Sequence, residues 1–306
     1  MAKGLKNACR GVLVMLLSAV IAAPPLAAEE FKSPDIVVLG DSQLSFGAGP
    51  VFLEFFQNID QHCGAGPQGE TDYTQLGEKS VAIFGVRSTS LGSWVARSRR
   101  GKAAVCEVDK KWKANAATFG TVNTGKNKYV QIGKGRNYQF CKKGQSPFEA
   151  MFAEGYYAPK LIVMNFLGNS ARRWAEDKHQ ALADVTKAME QLPEGVPCVF
   201  LTTAPTYKKK TVDLRLKAQE NLKYAFMKAG SQCSFVEGFT PETIAANQGN
   251  RLYFRRNKSG RVKDPFHPNQ KAQENFFMVR TQDICHAVHE QLAPKNTETA
   301  VLLPAP

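Results

Sequence analysis

A serine near one end of the chain and an aspartate–histidine pair near the other could together form a catalytic group. Ser42 follows an apolar run, residues 36–39, that breaks at Gly-Asp-Ser. Asp264 stands three residues before His267. A serine hydroxyl becomes a nucleophile near neutral pH when a histidine takes its proton and a carboxylate orients that histidine. We therefore predict Ser42 as the nucleophile, His267 as general base and acid, and Asp264 as the residue that holds the imidazole.

The elements that would position these residues alternate between strands and helices. Short apolar runs predict five strands, at about residues 35–39, 80–84, 160–166, 197–202 and 233–236. Helical spacing predicts helices at about residues 50–59, 171–192, 212–229 and 269–292. This alternation favours a three-layer α/β/α sandwich on a mainly parallel five-stranded sheet. Ligands bind beyond the carboxyl ends of such strands, so residues that follow them should converge with the late Asp264–His267 loop.

The first 28 residues are typical of an export signal. Three basic residues precede an apolar stretch, residues 11–23, and Ala27-Ala28 offers a small-residue cleavage site. The stretch is shorter than the roughly 20 residues that span a bilayer, although an uncleaved anchor is the alternative. No later segment is apolar enough to span. We therefore predict a periplasmic or secreted protein with no integral membrane segment after cleavage.

Six cysteines remain once the signal segment is removed. An even number in an exported chain predicts disulfides, and the spacings do not resemble a close CxxC metal or redox site. Spacing alone leaves many pairings open, and some free buried thiols are the alternative. The pairings that we favour are Cys106–Cys141, Cys198–Cys233 and Cys63–Cys285.

Residues 29–292 are predicted to form one domain with a single insertion. Residues 97–146 are rich in Lys, Gly and Asn with short aromatic runs, which predicts a small β-rich insertion over the active edge. A plain surface excursion is the alternative. Residues 293–306 are polar and then proline-rich, which is typical of a disordered tail.

Charge and composition restrict the partners. The chain carries a formal net charge of +13, and without the three basic residues of its first 28 it would still carry +10. An exported protein with this balance meets anionic glycans, phosphorylated lipid headgroups or cell-wall polymers more often than nucleic acid, and net charge does not choose among the three. The partner that we predict is an acylated, anionic glycan, and not nucleic acid. We predict no metal and no cofactor, because the five histidines form no HExxH motif and no glycine-rich phosphate loop is present. The sequence does not indicate an oligomeric state.

Four short blocks of the chain resemble the SGNH (GDSL-type) hydrolase superfamily. Residues 40–44, Gly-Asp-Ser-Gln-Leu, match the first block, with Gln between Ser and Leu, and residues 264–269, Asp-Pro-Phe-His-Pro-Asn, match the last. The resemblance implies the same α/β/α fold and a metal-independent serine hydrolase. It also implies that the backbone N–H of Ser42 is one donor to the oxyanion.

The middle blocks supply the other oxyanion donors, and both depart from the family pattern. The third block, Gly-x-Asn-Asp, is represented by Leu-Gly-Asn-Ser at residues 167–170, so the side-chain role passes to Asn169, with Asn165 as the rival. The glycine of the second block corresponds to Ser88. Gly85 is the alternative there, and would be needed if the backbone φ angle is positive.

Three further residues are predicted to contact substrate. Trp94 follows the second block, Arg172 follows the third, and Arg256 belongs to a basic run just before Asp264. Indoles and guanidiniums suit sugar rings and anionic groups. Together these features predict an exported serine esterase that hydrolyses O-acyl esters, O-acetyl above all, on an envelope or extracellular polysaccharide.

Two other functions stay open at this point. A lipase or lysophospholipase of the same fold would need an apolar acyl groove, for which Phe52, Phe55 and Phe56 are candidates that also suit a helix core. A catalytically weak glycan-binding or glycan-modifying envelope module is favoured by the altered Gly-Asn-Ser block.

Overall fold

A computed structural model describes residues 33–66, 71–86, 89–97, 116–120, 144–153 and 157–293, the stretch 116–120 by its backbone alone. The chain divides into two units, Met1–Phe31 and Lys32–Pro306, and the described residues all lie in the second. The predicted signal segment, the Cys106–Cys141 pair, nearly all of the tail and most of the insertion lie outside the described residues.

A parallel sheet forms the centre of the fold, as predicted. Its five parallel strands lie in the order β2-β1-β4-β5-β6, and β3, from within the predicted insertion, adds an antiparallel strand beside β2. The strands are β1 (Ile36–Gly40), β2 (Val81–Val86), β3 (Ala116–Gly120), β4 (Leu161–Asn165), β5 (Cys198–Leu201) and β6 (Cys233–Val236). The parallel part of the sheet is therefore confirmed, and the insertion contributes a sixth strand.

Helices follow most of the strands. They are α1 (Gly49–Gln57), α2 (Ile59–Cys63), α3 (Leu91–Trp94), α4 (Ala171–Glu176), α5 (Lys178–Met189), α6 (Lys209–Lys228), α7 (Pro241–Asn247) and α8 (Gln270–Leu292). π-Helical turns lie at Leu44–Ala48 and Glu149–Ala153, and 3₁₀ turns at Tyr73–Leu76 and Arg251–Tyr253. Within the described part of the chain, none of the helices combines the length and apolar character needed to cross a membrane.

Two apolar layers lie on opposite faces of the sheet because successive strand side chains point to opposite sides. Ile36 and Val38 of β1 pack in the layer that contains α1 and α8. Val37 and Leu39 pack in the layer that contains α4, α5 and α6. Both layers are fully enclosed, and each aliphatic side chain buried in them contributes about 1.5–3 kcal/mol to stability.

The three phenylalanines considered for an acyl groove belong to this core. Phe52, Phe55 and Phe56 lie on α1 with at most 2% of their surface exposed. Phe52 and Phe55 each contact the ring of Phe277 on α8. They therefore join two helices to the sheet and do not line a groove.

The helix predicted over residues 171–192 is two helices. Asp177 leaves the helical conformation, with φ −142° and ψ 108°, and its carboxylate accepts a hydrogen bond from the His179 N–H at 2.8 Å. A carboxylate that caps a new helix in this way competes with continuation of the old one. The prediction of one helix was wrong because apolar spacing continues across this cap.

Two of the three predicted disulfides are present. Cys63–Cys285 joins the end of α2 to α8, and Cys198–Cys233 joins the first residues of β5 and β6. The first links residues 222 apart in sequence. It therefore fastens the segment after the nucleophile to the helix that follows His267.

Candidate active site

Ser42, His267 and Asp264 form a continuous hydrogen-bonded chain. Ser42 Oγ lies 2.8 Å from His267 Nε2. On the other side of the imidazole, Nδ1 lies 2.9 Å from Oδ2 and 3.0 Å from Oδ1 of Asp264. Ser42 and His267 are 225 residues apart in sequence. The fold therefore brings together the three groups that the sequence suggested.

The direction of these hydrogen bonds follows from the chemistry of the groups. An ionised carboxylate can only accept, so the hydrogen between Asp264 and His267 belongs to Nδ1. In a neutral imidazole the other nitrogen then carries a lone pair. His267 Nε2 can therefore accept the Ser42 hydroxyl proton, which is the arrangement that general-base activation of a serine requires.

Backbone groups fix the Asp264 carboxylate. Its Oδ1 accepts hydrogen bonds from the N–H groups of Phe266 at 3.1 Å and His267 at 3.2 Å. Burial by itself raises the pKa of Asp264, but the hydrogen bond and charge of His267, with these N–H groups, outweigh it and hold the pKa below its ordinary value. Asp264 is therefore ionised at neutral pH.

This lowered pKa predicts how stability depends on pH. Asp264 stabilises the folded state fully above its ordinary pKa, about pH 4, and this stabilisation disappears as the pH falls toward the lower folded-state value. We expect the free energy of unfolding of the wild type to fall more steeply between about pH 5 and about pH 2.5 than that of Asp264→Asn. Urea titrations across this range measure both slopes, and equal slopes would contradict the prediction.

Ser42 lies where β1 ends and a helical segment begins. Asp41 accepts a hydrogen bond from the Gln43 N–H at 2.8 Å, which fixes the turn around Ser42. The side chain of Gln43 then donates to the Phe266 carbonyl at 2.8 Å and so ties this turn to the histidine loop. Gln43 is almost fully buried. The sequence showed it only as a variation within the first block, and its bracing role was not foreseen.

Two residues of the π-helical turn pack directly against the histidine loop. The rings of Phe46 and His267 lie 4.2 Å apart, centroid to centroid. A Cβ on Gly47 would approach the Pro268 carbonyl oxygen to 2.9 Å. Glycine is therefore required at residue 47 for the close approach of two backbones and not for an unusual dihedral angle.

A pocket of about 520 Å³ opens onto the serine and histidine. Its lining combines groups from both ends of the chain with residues that follow β4 and residues of α6. The lining includes Asp41, Ser42, Asn169, Arg172, Arg215 and His267. The carboxyl edge of the parallel sheet is thus the place where they meet, as expected for this architecture.

Asn169, the predicted oxyanion donor, belongs to the pocket lining. It lines the pocket beside Ser42, and its Nδ2 donates one hydrogen bond to the Thr89 carbonyl at 2.7 Å. A side-chain amide has two N–H groups, so this bond orients the amide and leaves the second N–H for a ligand. Asn165, the rival, is buried and donates to the Leu201 carbonyl at 2.9 Å, which removes it from the pocket.

The sequence offers two residues for the second-block oxyanion donor, Ser88 and Gly85. Ser88 lies outside the described residues, so its role stays a prediction. Gly85 lies inside β2, paired with Gly40 of β1. A Cβ there would lie 2.6 Å from Leu44 Cβ. Gly85 is therefore explained by the close packing of the nucleophile segment on β2.

The three predicted substrate contacts have different outcomes. Arg172 is exposed at the pocket lining and pairs with Glu176. Trp94 is completely buried, its Nε1 donates to Thr89 Oγ1, and it packs among aromatic rings, so the structure places it in the core and not in the pocket. Arg256 lies in a separate surface depression with Asn257 and Lys258. It is exposed there, beyond the pocket lining.

Arg256 belongs to a short exposed hairpin that leads into Asp264. Backbone hydrogen bonds join Asn257 to Arg261 and Lys263 to Arg255. The hairpin's basic side chains are all exposed: Arg255, Arg256, Lys258, Arg261 and Lys263. This arrangement concentrates positive charge immediately before Asp264 in sequence.

Two charged residues of the pocket, Asp41 and Arg215, were not among the predicted site residues. Burial raises the pKa of Asp41, and burial lowers the pKa of Arg215 to about 10 against the opposing effect of the Asp41 charge. A signal for Arg215 did exist. It occupies the buried stripe of α6 together with Val212, Ala218 and Leu222, where an apolar residue is expected.

Metal-ligand geometry is absent from the part of the chain that the structure describes. No group of three or more His, Cys, Asp or Glu side chains there could hold a metal ion.

The chain was compared with protein-family models, curated proteins and solved structures. No family model matches, and no curated protein matches. Two solved structures are similar over most of their length. One is described as "a putative SGNH hydrolase from Slackia heliotrinireducens", with 12% identity and a TM-score of 0.37 over 83% of this chain and all of that one.

The other similar structure is a DUF4886 family protein from Bacteroides uniformis ATCC 8492. It shares 10% identity with a TM-score of 0.39, over 89% of this chain and 90% of that one. The first description names the superfamily that the sequence blocks resemble.

Proposed function

We propose that this protein is an exported serine esterase of SGNH type that removes O-acyl groups, chiefly O-acetyl, from an envelope or extracellular polysaccharide. The observation that carries the proposal is the Ser42–His267–Asp264 chain, with distances of 2.8 Å and 2.9 Å, at the wall of an open pocket. Hydrogen-bond reach between nucleophile and base, with the base oriented by a third group, is the requirement for nucleophilic catalysis by serine.

The proposed reaction has two steps. Ser42 Oγ attacks the ester carbonyl carbon while His267 Nε2 takes the hydroxyl proton, and the imidazolium formed is stabilised by Asp264. Collapse of the tetrahedral intermediate breaks the bond to the alcohol oxygen, which receives the proton from His267. A water molecule then attacks the acyl-enzyme with His267 again as base, which releases the carboxylic acid and restores Ser42.

The negative charge on the tetrahedral intermediate needs donors already in place. The Ser42 N–H and the second N–H of Asn169 are the candidates within the described residues. The Thr89 carbonyl holds the Asn169 amide in one orientation, so little reorganisation is needed when charge develops. Ser88 is proposed as the third donor from the resemblance.

Two features support the proposed substrate class: the exposed positive charge and the burial of the three phenylalanines considered for an acyl groove. The exposed cations of the hairpin and Arg172 favour an anionic polymer. Clustered positive charge on a protein raises the local concentration of a negatively charged substrate. The acyl groove considered for a lipase loses its candidates, since Phe52, Phe55 and Phe56 are core residues. Export and a periplasmic or extracellular location remain part of the proposal, and the two disulfides support an oxidising compartment.

The test is acyl-chain and polymer preference of the oxidised protein without its first 28 residues. We expect hydrolysis of p-nitrophenyl acetate at a higher kcat/KM than the decanoate, and release of acetate from an O-acetylated acidic polysaccharide. A preference for decanoate would favour the lipase. Glycan binding with no hydrolysis of any ester would favour the binding module and overturn the esterase proposal.

A further inference from the structure

A buried arginine with an unsatisfied donor lines the candidate active-site pocket. Arg215 projects from α6 into the pocket lining that also holds Ser42 and His267, and only 6% of its surface is exposed. Its Nη1 is buried and makes no hydrogen bond within the described residues. A buried charged donor without a partner is costly, and a ligand that accepts its hydrogen bonds would remove this cost.

Asp41 is the obvious internal counter-charge, but it does not satisfy this arginine. The two charges attract each other, but Asp41 accepts no hydrogen bond from the arginine Nη1, which is without a partner among the described residues. One oxygen of Asp41 is instead engaged by the Gln43 N–H. Burial raises the pKa of Asp41, and the hydrogen bond from Gln43 and the charge of Arg215 oppose this shift. The guanidinium is therefore left with unused donors at the pocket.

Gly168 keeps the approach to Arg215 open. A Cβ at residue 168 would lie 2.9 Å from Arg215 Nη2 and 3.4 Å from Asp41 Oδ2. Any side chain there would occupy the space beside the guanidinium. The Leu-Gly-Asn-Ser segment thus supplies the oxyanion candidate Asn169 and, one residue earlier, the gap that leaves Arg215 accessible.

We propose that Arg215 binds a carboxylate carried by the ester substrate, so that the pocket selects acidic esters. This inference rests on the esterase function proposed above and names its substrate more closely. A planar guanidinium offers paired N–H groups that match a carboxylate in two hydrogen bonds. The carboxylate belongs either to the sugar, as in an O-acetylated uronic acid, or to the acyl group, as in a hemiester of a dicarboxylic acid.

The exposed cations of the described surface are consistent with an acidic substrate. Arg172 lies at the same pocket lining, and the hairpin before Asp264 carries five exposed basic side chains. These would attract an anionic polymer in a salt-dependent manner. Arg215 differs from them because it is buried, so its effect should persist at high salt.

Two matched substrate pairs test the proposal and separate the two sources of the carboxylate. The first pair is O-acetyl galacturonic acid and its methyl ester. The second is p-nitrophenyl hemisuccinate and p-nitrophenyl acetate. For each pair, kcat/KM for the acidic substrate is divided by kcat/KM for the neutral one. This ratio is measured for the wild type, Arg215→Met and Arg215→Lys. About 0.5 M salt is present, because it screens long-range attraction between exposed charges and leaves the effect of close contacts. Lys217→Met is the control, because it removes one exposed charge from the same helix.

We expect the wild type to prefer the acidic member of one pair by about tenfold to a hundredfold, mainly through KM. Arg215→Met should abolish this preference, Arg215→Lys should keep part of it, and Lys217→Met should keep all of it. Preference within the first pair would assign the carboxylate to the sugar, and within the second to the acyl group. A wild-type ratio near one in both pairs, or an unchanged ratio in Arg215→Met, would overturn the inference.

Binding measurements test the carboxylate site even if the esterase proposal fails. Should the wild type hydrolyse no ester, calorimetric titration of galacturonate and of succinate would replace the kinetic ratios. Binding that is present in the wild type and lost in Arg215→Met or weakened in Arg215→Lys would support the carboxylate site alone. Absence of binding of both acids to the wild type would reject it.

Discussion

Replacement of Ser42 by alanine is expected to reduce kcat for p-nitrophenyl acetate by about 10⁴-fold or more. The hydroxyl is the only atom of this residue that His267 contacts in the hydrogen-bonded chain, and alanine removes it without adding bulk. The remaining rate would come from binding and the oxyanion donors alone. Initial rates of both proteins at saturating substrate measure the effect.

The matched control for this variant is Ser45→Ala, the same change three residues along the chain. Ser45 Oγ donates to the Gly85 carbonyl and does not line the pocket. We expect its activity to stay within about tenfold of the wild type, since one ordinary hydrogen bond contributes about 1 kcal/mol. Thermal melting of both variants checks the fold. A folded Ser42→Ala protein with nearly wild-type turnover would contradict a serine mechanism.

Asp264→Asn is expected to reduce kcat by about 10³–10⁴-fold while leaving the fold intact. Asparagine keeps an oxygen that can accept from the Phe266 and His267 N–H groups. Its amide can also donate toward His267 Nδ1, which would favour the tautomer whose Nε2 carries the proton. In that tautomer the imidazole cannot accept the proton of Ser42.

The control for the aspartate variant is Asp213→Asn on α6. Asp213 is exposed and pairs with Lys209, so its replacement removes the same charge without touching the site. Its kcat should stay within about twofold of the wild type, because exposed ion pairs contribute little. If Asp264→Asn were folded and lost no more activity than Asp213→Asn, the orienting role of Asp264 would be wrong.

Much of the fold could be predicted because it depends on local apolar patterns. Residues 36–39 form an uninterrupted apolar run, which is typical of a parallel strand buried on both faces. The break between α4 and α5 was missed because Asp177 caps a helix within a continuing apolar spacing. A cap is decided by one side-chain contact, which periodicity does not report.

The candidate site was predicted where residue types alone indicate chemistry. The residue types in two matching blocks, a serine in one and an aspartate and a histidine in the other, predicted a contact between the blocks. Ser42 and His267 are 225 residues apart in sequence. Gln43 and Arg215 were missed because their importance lies in contacts between distant segments. The prediction that Trp94 contacts substrate was wrong for the same reason. An indole suits a sugar ring, but the surroundings of Trp94 make it a core residue. Arg215 could have been noticed as a charge within an apolar helical stripe.

The most direct test of the central claim is labelling by an alkyl fluorophosphonate, which reacts with an activated serine hydroxyl. After incubation of the oxidised protein, intact mass and peptide mapping locate the phosphonyl group. The account predicts a single label on the peptide that contains Ser42, absent in Ser42→Ala and strongly reduced in His267→Ala. Failure of the wild type to become labelled, or a label on a serine other than Ser42, would contradict the assignment of Ser42 as nucleophile.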